Sequence, residues 1–281
     1  MLAFVHIAKT AGTTITQVLR QSLGARHCDI RLWPHVRYSQ LVVTADDIRR
    51  LSLIYWRLES IAGHKVVPYS DLHYAYPHLR FYTFCREPLA RMASYYQMLV
   101  QKGTVADDFF SWIRTGECWN WQTQILAGYQ DADAAIEKLQ HNVGFVGLTE
   151  RFNESLVMYR RWAGQPEIDI RYTSRNVAAD NCIKQRLLTD PASRAALADA
   201  NREDLKLYDY IVRKYFPRQQ KVYGPTLAAD VAQFEQNNKP RVTTISMCGK
   251  LMRDFVYKPL MPLTTRGRIP AHPARNQRQA A

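Results

Sequence analysis

A lysine in a short turn near the start of the sequence is the first feature that could do chemistry. Lys9 lies in the segment Ala8-Lys9-Thr10-Ala11-Gly12-Thr13-Thr14, after an apolar run and before residues at helical spacing. Such a turn presents backbone N–H groups, the positive end of a helix dipole, an ammonium group and hydroxyls to one point. The combination predicts an anion site for phosphate or sulfate. An ordinary strand-to-helix turn with a surface lysine is the alternative.

A second candidate anion site follows another apolar run. Arg86 comes directly after residues 79–85, and Ser94 lies eight residues later on a helix that Pro88 is predicted to begin. Arginine binds phosphate through parallel hydrogen bonds. Since the strand before Arg86 is predicted to end at the same sheet edge as the Lys9 turn, Arg86 and Ser94 could reach one phosphate together. The alternative is an ion pair between Arg86 and Glu87.

A histidine at the end of a third apolar segment is the candidate general base. His64 follows Gly63 within the short predicted strand 61–67, and its unperturbed pKa suits proton transfer near neutral pH. Taken alone, a histidine in such a place is more often a structural residue. His6 lies beside the Lys9 turn, where we expect it to pack or to form a hydrogen bond.

These residues need a scaffold, and the apolar pattern predicts one. Nearly continuous apolar strands at residues 2–7, 61–67, 79–85 and 143–148 alternate with helices, which indicates an α/β fold with a mainly parallel sheet. The loops after parallel strands meet at one edge of the sheet, where ligands bind. We therefore predict a P-loop-like three-layer sandwich with helices on both faces of the sheet. The predicted helices cover residues 15–23, 45–60, 88–99, 105–114, 119–127, 132–141, 153–163 and 202–216.

Composition limits the class of protein. The chain has 281 residues, 47% of them hydrophobic, and a formal net charge of +13, which favours a globular protein with an anionic partner. Five scattered cysteines without a CxxC pair argue against a disulfide framework or a zinc site. No stretch reaches the apolar length of a membrane span and no leader precedes the first strand, so we expect a cytoplasmic protein.

The sequence pattern changes in the last part of the chain. From residue 218 onward, periodicity is weak, basic residues are common and acids are few, so we expect a partly irregular basic extension with one helix near residues 227–235. Pro217 is predicted to end the preceding helix. The chain thus divides into a main domain, 1–217, and an extension, 218–281, through which peripheral contact with a membrane is conceivable.

In order and spacing, these segments resemble the carbohydrate sulfotransferases, and most closely the group of heparan sulfate 2-O-sulfotransferases and their bacterial relatives. The resemblance covers about residues 1–217. Ala8 stands where proline is commoner. The segments that carry the resemblance are His6-Ile7-Ala8-Lys9-Thr10-Ala11-Gly12-Thr13-Thr14, Gly63-His64, Arg86-Glu87-Pro88-Leu89-Ala90-Arg91 with Ser94-Tyr95-Tyr96, Asn120-Trp121-Gln122-Thr123, residues 146–152 and residues 201–216.

The resemblance implies transfer of the sulfuryl group of 3′-phosphoadenosine 5′-phosphosulfate (PAPS) to a saccharide hydroxyl, with adenosine 3′,5′-bisphosphate (PAP) as product and no metal. His64 would take the acceptor proton, and Lys9 would assist the departing phosphate. An acceptor cleft is expected from residues 25–43, the segment after His64 and residues 119–122. The implied donor-binding residues are Lys9, Thr10, Ala11, Gly12, Thr13 and Thr14 for the 5′-phosphosulfate, Arg86 and Ser94 for the 3′-phosphate, and Arg171, Thr173, Ser174, Arg175 and Asn176 for further contacts.

Two other functions fit parts of the sequence. A P-loop kinase or nucleotidase would need a glycine-lysine pair in the turn and a magnesium-binding acid after a core strand, and neither is convincing here. A non-enzymatic basic protein that binds polyanions would explain the charge but would leave the ordered motifs unexplained, and no nucleic-acid-binding module is recognisable. The identity of the acceptor and the oligomeric state stay open.

Overall fold

Five parallel strands form the centre of the molecule. The computed structural model describes residues 1–33, 41–173, 181–239 and 244–268, and within them the strands lie side by side in the order β2-β3-β1-β4-β5. Helices flank this sheet, which confirms the predicted α/β sandwich. The strands are β1 (Leu2–Val5), β2 (His27–Asp29), β3 (Ser60–Gly63), β4 (Arg80–Cys85) and β5 (Val143–Leu148).

Helices account for most of the remaining described chain. The first eight are α1 (Gly12–Leu23), α2 (Ala45–Leu51), α3 (Leu72–Ala75), α4 (Pro88–Gln101), α5 (Phe109–Ile113), α6 (Trp121–Ala127), α7 (Ala132–His141) and α8 (Phe152–Ala163). The others are α9 (Cys182–Thr189), α10 (Pro191–Ala200), α11 (Arg202–Tyr210), α12 (Phe216–Tyr223), α13 (Leu227–Asn237), α14 (Thr244–Leu251) and α15 (Lys258–Thr264).

The central strand β1 is apolar along its whole length because both of its faces are covered. Its four residues are buried, and it pairs in parallel with β3 on one side and with β4 on the other. At its end, Val5 lies opposite both Gly63 and Thr83. Thr83 Oγ1 donates a hydrogen bond of 2.9 Å to the carbonyl oxygen of Val5. The segments that continue beyond these three strands therefore leave the sheet at one edge.

The chain leaves β1 and β4 in opposite directions. From β1 it passes over β3 to reach β2, whereas from β4 it passes to β5 on the other side. A crevice opens between neighbouring strands whose connections diverge in this way, and ligands of open α/β sheets bind there. The topology therefore directs attention to the ends of β1 and β4.

Two predictions about the first 60 residues were wrong in part. No strand was predicted between residues 25 and 43, but this segment contains the short strand β2, which His27 ties to β3 through a 3.1 Å contact between its Nδ1 and Ser60 Oγ. The helix predicted for residues 45–60 ends at Leu51, because the chain then turns to place Ser60 at the start of β3. Thr44 is the N-cap of this helix and forms a capping box with Asp47. The helix predicted for residues 105–114 is shorter, as α5.

Pro217 does not end a helix, contrary to the prediction. The chain remains helical from α11 through a π-helical turn, Ile211–Tyr215, into α12, and Pro217 lies in the first turn of α12. Proline lacks an N–H and its ring would crowd the carbonyl group four residues earlier. The wider i→i+5 spacing of a π turn relieves this conflict. The same arrangement recurs where the π turn Met252–Tyr257 precedes Pro259 in α15.

The described part of the C-terminal segment is helical and packed, where irregular structure had been predicted. Tyr257 is buried, and its hydroxyl accepts a hydrogen bond of 2.9 Å from the backbone N–H of Arg31. Asp47 makes the tightest connection. Its Oδ1 accepts hydrogen bonds from the backbone N–H groups of Arg266 and Gly267 at 2.9 and 3.1 Å, while its Oδ2 caps α2. One buried carboxylate thus joins α2 to the end of the described chain.

Replacing this carboxylate tests the connection. We expect Asp47→Ala to lower the free energy of unfolding by about 2–3 kcal/mol, because it removes a helix cap and leaves buried backbone donors without an acceptor. The neighbouring Asp46 makes only surface ion pairs, with Arg49, Arg50 and, at 3.8 Å, Arg268 of the C-terminal segment, so Asp46→Ala should cost less than about 1 kcal/mol. Urea unfolding of both variants measures the difference. Equal losses would show that Asp47 does not hold the C-terminal segment.

Candidate functional site

A cleft of about 580 Å³ opens at the ends of β1, β3 and β4. It is the place to which the diverging connections of β1 and β4 point. The cleft brings together most of the site residues that the sequence predicts, from four separate segments. Its lining residues are His6, Ala8, Lys9, Ala11, Gly12, Thr13, Thr14, His64, Arg86, Ser94, Tyr95, Met98, Lys102, Trp121 and Thr149.

The turn after β1 has the form of an anion site. Lys9 and Ala11 both adopt left-handed backbone conformations, with φ of 70° and 63°, which side chains other than glycine rarely accept. The helix α1 begins directly after Ala11, and neither a capping side chain nor an acidic residue stands in its first turn. The positive end of the α1 dipole therefore faces the cleft.

Thr10 is the one residue of this turn that does not line the cleft. Its side chain is fully buried, and Oγ1 donates a hydrogen bond of 2.9 Å to the carbonyl oxygen of Ile7. The hydroxyl thus holds the turn in shape. The other predicted residues of the turn, from Ala11 to Thr14, are at the cleft surface.

Gly12 is required by the close approach of His6. A Cβ atom at Gly12 would lie 2.0 Å from the imidazole of His6. That imidazole cannot easily move away, because it stacks between the rings of Phe4 and His64, with centroid distances of 5.5 and 4.0 Å. The first glycine of α1 therefore makes room for a stack of two imidazoles beside the anion site.

His64 is held in the orientation that a general base needs. Its Nδ1 lies 2.7 Å from the carbonyl oxygen of His6, and since a carbonyl can only accept, Nδ1 carries the proton and Nε2 has a free lone pair. Loss of hydration in the cleft lowers the pKa of His64 below 6.5, and the positive charges of Lys65 and Arg31 act in the same direction. The bond to His6 opposes them. His64 is therefore neutral at pH 7.

His6 supports His64 and is itself uncharged. Burial lowers the pKa of His6 to about 3, and the neighbouring His64 adds to this effect. A neutral ring can stack on His64 without repelling it. His6 thus fixes the catalytic candidate both through its backbone carbonyl group and through its ring.

Arg86 is fixed at both its backbone and its side chain. The side-chain amide of Gln122 accepts from the Arg86 N–H at 2.9 Å and donates to the Arg86 carbonyl oxygen at 2.8 Å. Arg86 Nη1 donates a hydrogen bond of 3.1 Å to the carbonyl oxygen of Lys9. Gln122 is buried and is held in turn by Asp204, which accepts from its backbone N–H at 3.0 Å.

Among the described residues, Arg86 and Glu87 do not form the ion pair that was the alternative. The carboxylate of Glu87 caps α4 by accepting from the N–H groups of Leu89 and Ala90 at 3.1 and 2.6 Å. The nearby Glu150 accepts from the Glu87 N–H and from the Tyr208 hydroxyl, both at 2.9 Å. Both acids are thus engaged, and Arg86 is available to an anion in the cleft.

Ser94 lies on α4, on the same wall as Arg86. Helical spacing predicts that Ser94 lies about two turns along the helix from Arg86, and in the structure both residues line the cleft. Tyr95, Met98 and Lys102 continue this wall along α4.

Two further cations were missed in the sequence. Lys102 lines the cleft from the last turn of α4, and Lys184 approaches from α9. Burial, followed by the charges of Arg86, Lys102 and Lys184, lowers the pKa of Lys9. Lys102 could have been found from its spacing of eight residues after Ser94, but Lys184 comes from a distant segment and has no local signal. The cleft is thus more positive than the motifs alone indicate.

Some predicted contacts lie elsewhere. Arg175, with Ser174 and Asn176, falls outside the described residues. Arg171 forms a paired hydrogen-bond arrangement with Asp169 and lines a different cavity of about 880 Å³. Apart from Arg171, that cavity and another of about 870 Å³ contain none of the predicted catalytic or donor-binding residues within the described chain. The candidate site is therefore identified by its converging positive charges and by His64, and not by the volume of the cavity.

Neither a comparison with protein families nor one with curated proteins found a match for this chain. Among the described residues, no helix is both long and apolar enough to cross a bilayer. Within the same residues, no three His, Cys, Asp or Glu side chains come together as metal ligands would. The function is therefore inferred from the residues and the geometry of the cleft.

An NMR titration of the two histidines tests this geometry. We expect His64 to titrate below pH 6.5 and to carry its neutral-state proton on Nδ1, while His6 stays neutral down to about pH 3. Since the folded pKa of His6 lies below its unfolded value, the stability it confers is complete above pH 6.5 and is lost as the pH falls toward 3. His64→Gln assigns the signals. A His64 proton on Nε2, or titration above 6.5, would contradict the arrangement.

Proposed function

We propose that this protein is a PAPS-dependent sulfotransferase that acts on a hydroxyl of a saccharide or glycoconjugate. The observation that carries the proposal is the convergence in one cleft of two separate anion-binding elements and a neutral histidine. The first element is Lys9 with the start of α1, the second is Arg86 with Ser94, and the histidine is His64. The order of these segments in the chain resembles that of the carbohydrate sulfotransferases.

The donor requires two anion sites, and the cleft supplies two. PAPS carries a phosphosulfate at the 5′ position and a phosphate at the 3′ position of one ribose. Lys9 and the backbone of residues 11–14 would hold the 5′ group, and Arg86 with Ser94 would hold the 3′ phosphate. The excess of cations supports this fit, because the four cations Lys9, Arg86, Lys102 and Lys184 outnumber the two nearby carboxylates, Glu87 and Glu150. Thr10 would contribute through its backbone alone, since its hydroxyl is used internally.

The chemistry requires charge stabilisation more than covalent participation by the protein. Bound PAPS would supply a sulfuryl group linked through an anhydride oxygen to its 5′-phosphate. As in phosphoryl transfer, positioning and positive charge then account for most of the catalysis. Lys9 and the N-terminus of α1 would offset the negative charge that develops on the departing phosphate, so the proposal needs no metal ion.

His64 would accept the proton of the acceptor hydroxyl. Its free Nε2 and its neutral state at pH 7 are what a general base needs. Proton transfer leaves the acceptor oxygen free to form the new bond to sulfur, while PAP departs with the electrons of the broken bond. Two carboxylates are less suitable as the base: Glu150 already accepts two hydrogen bonds, and Glu59 pairs with Arg26 beside the start of β3.

The acceptor side of the cleft is only partly defined. Trp121 lines the cleft, which agrees with a contribution from residues 119–122, while residues 34–40 of the other expected wall lie outside the described chain. An aromatic ring beside the base suits the apolar face of a sugar. We further propose a cytoplasmic location in a bacterial cell, consistent with the expectation from sequence.

Calorimetry with PAP and with adenosine 5′-monophosphate tests the donor site. These two nucleotides differ by the 3′-phosphate, so the wild-type protein should bind PAP about 100-fold more tightly, as expected for two charge-assisted hydrogen bonds. Arg86→Ala should lose most of this preference and keep the weaker binding of the monophosphate. Arg213→Ala, which removes an equal charge from an exposed helix position, should leave both affinities unchanged.

Two results would overturn the donor assignment. One is equal weakening of both nucleotides by Arg86→Ala, which would mean that Arg86 supports the fold and not the 3′-phosphate. The other is tighter binding of ATP with Mg²⁺ than of PAP, which would indicate a kinase or nucleotidase.

A further inference from the structure

The helical segment 244–264 exposes a row of apolar side chains. Met247, Leu251 and Phe255 are 60%, 56% and 74% exposed, and they follow one another at intervals of four residues. Side chains at this spacing share one face of a helix. The row therefore forms a continuous apolar stripe that points to solvent.

The opposite face of the same segment already has a partner. Gly249 packs so closely on Gly24, at the end of α1, that a Cβ atom there would lie 2.6 Å from the Gly24 backbone. Further along, Tyr257 and Met261 are buried against the body of the protein. A helix that is apolar on its outer face as well as its inner one needs a second apolar partner.

The stripe does not stand alone. Leu263, at the end of the segment, is 60% exposed and lies beside α2, since Arg50 Nη1 donates to the Leu263 carbonyl oxygen at 3.5 Å. We call the four exposed side chains of the segment 244–264, Met247, Leu251, Phe255 and Leu263, the apolar face.

The charge around the apolar face is mainly positive. The described residues 244–268 contain five lysines and arginines and a single acid, Asp254, a net charge of +4. Lys250 and Arg266 are exposed, and in the described part of the chain they form no ion pair. An apolar surface with a basic border fits an anionic partner.

We propose that the apolar face binds the surface of an anionic lipid bilayer. A bilayer accepts the apolar side chains among its acyl chains and attracts the basic border through its headgroups. A second copy of this chain fits less well, because a symmetric contact would bring two segments of net charge +4 together. The cleft lies at the opposite end of α1 from the Gly24–Gly249 contact and stays open to substrates. The sequence suggested membrane contact through the tail; the structure locates it on the helical segment 244–264.

Vesicle co-sedimentation of the full chain tests this proposal. We expect binding to vesicles that contain phosphatidylglycerol to exceed binding to pure phosphatidylcholine by at least about tenfold, and to weaken with salt. The double variant Leu251→Gln/Phe255→Gln should reduce binding to the anionic vesicles by about tenfold, since it removes apolar contact. Lys250→Gln/Arg266→Gln should reduce it by a similar factor. All four positions are exposed, so the variants should fold, and circular dichroism checks that they do.

Matched controls define what would overturn the proposal. Val222 and Tyr74 are 81% and 80% exposed but lie outside the apolar face, so Val222→Gln/Tyr74→Gln should leave vesicle binding unchanged. Equal loss in this control, or loss confined to an Arg275→Gln/Arg278→Gln variant, would show that the apolar face is not the binding surface. Sedimentation as a dimer that Phe255→Gln dissociates would show that a second copy covers it. The measurement is independent of sulfotransferase activity.

Discussion

The hydrogen bond from Arg86 Nη1 to the carbonyl oxygen of Lys9 is the contact on which the functional cleft depends. It joins the turns that follow β1 and β4, the two neighbouring strands whose connections diverge. The side-chain amide of Gln122 forms hydrogen bonds with both the N–H and the carbonyl group of Arg86, and the buried Asp204 accepts a hydrogen bond from the Gln122 backbone. The guanidinium group of Arg86 is thereby held against the turn that carries Lys9.

This arrangement collects like charges, which the two nearby carboxylates, Glu87 and Glu150, offset only in part. Burial, together with the charges of Arg86, Lys102 and Lys184, lowers the pKa of Lys9. The two carboxylates also cap a helix or accept from backbone and tyrosine donors. An anion that enters the cleft relieves the repulsion, so its binding should also stabilise the folded protein. The same logic applies at the apolar face, where basic residues outnumber acids.

The parts of the structure that depend on local pattern could be predicted from sequence. The buried strands β1, β4 and β5, the capping box of Thr44 and the turn around Lys9 all carry signals within a few residues. Interactions between distant segments could not be predicted: β2 is short and owes its place to pairing with β3, and Lys184 reaches the cleft only because α9 packs on α4. The prediction that Pro217 ends a helix was wrong because a π turn lets the helix continue, and the composition of the sequence does not reveal such a turn.

Transfer of labelled sulfate from PAPS to a panel of saccharide acceptors, by wild type and by His64→Ala, tests the central claim most directly. The account predicts that the wild-type protein labels an acceptor and that His64→Ala lowers kcat by about 10²–10⁴-fold while it still binds PAP, since only the general base is lost. In the wild type, kcat should fall on the acid side only below pH 6.5, because the pKa of His64 is lowered. Undiminished transfer by His64→Ala would contradict the assignment of the base, and failure of the wild-type protein to transfer sulfate to any acceptor would contradict the proposed function.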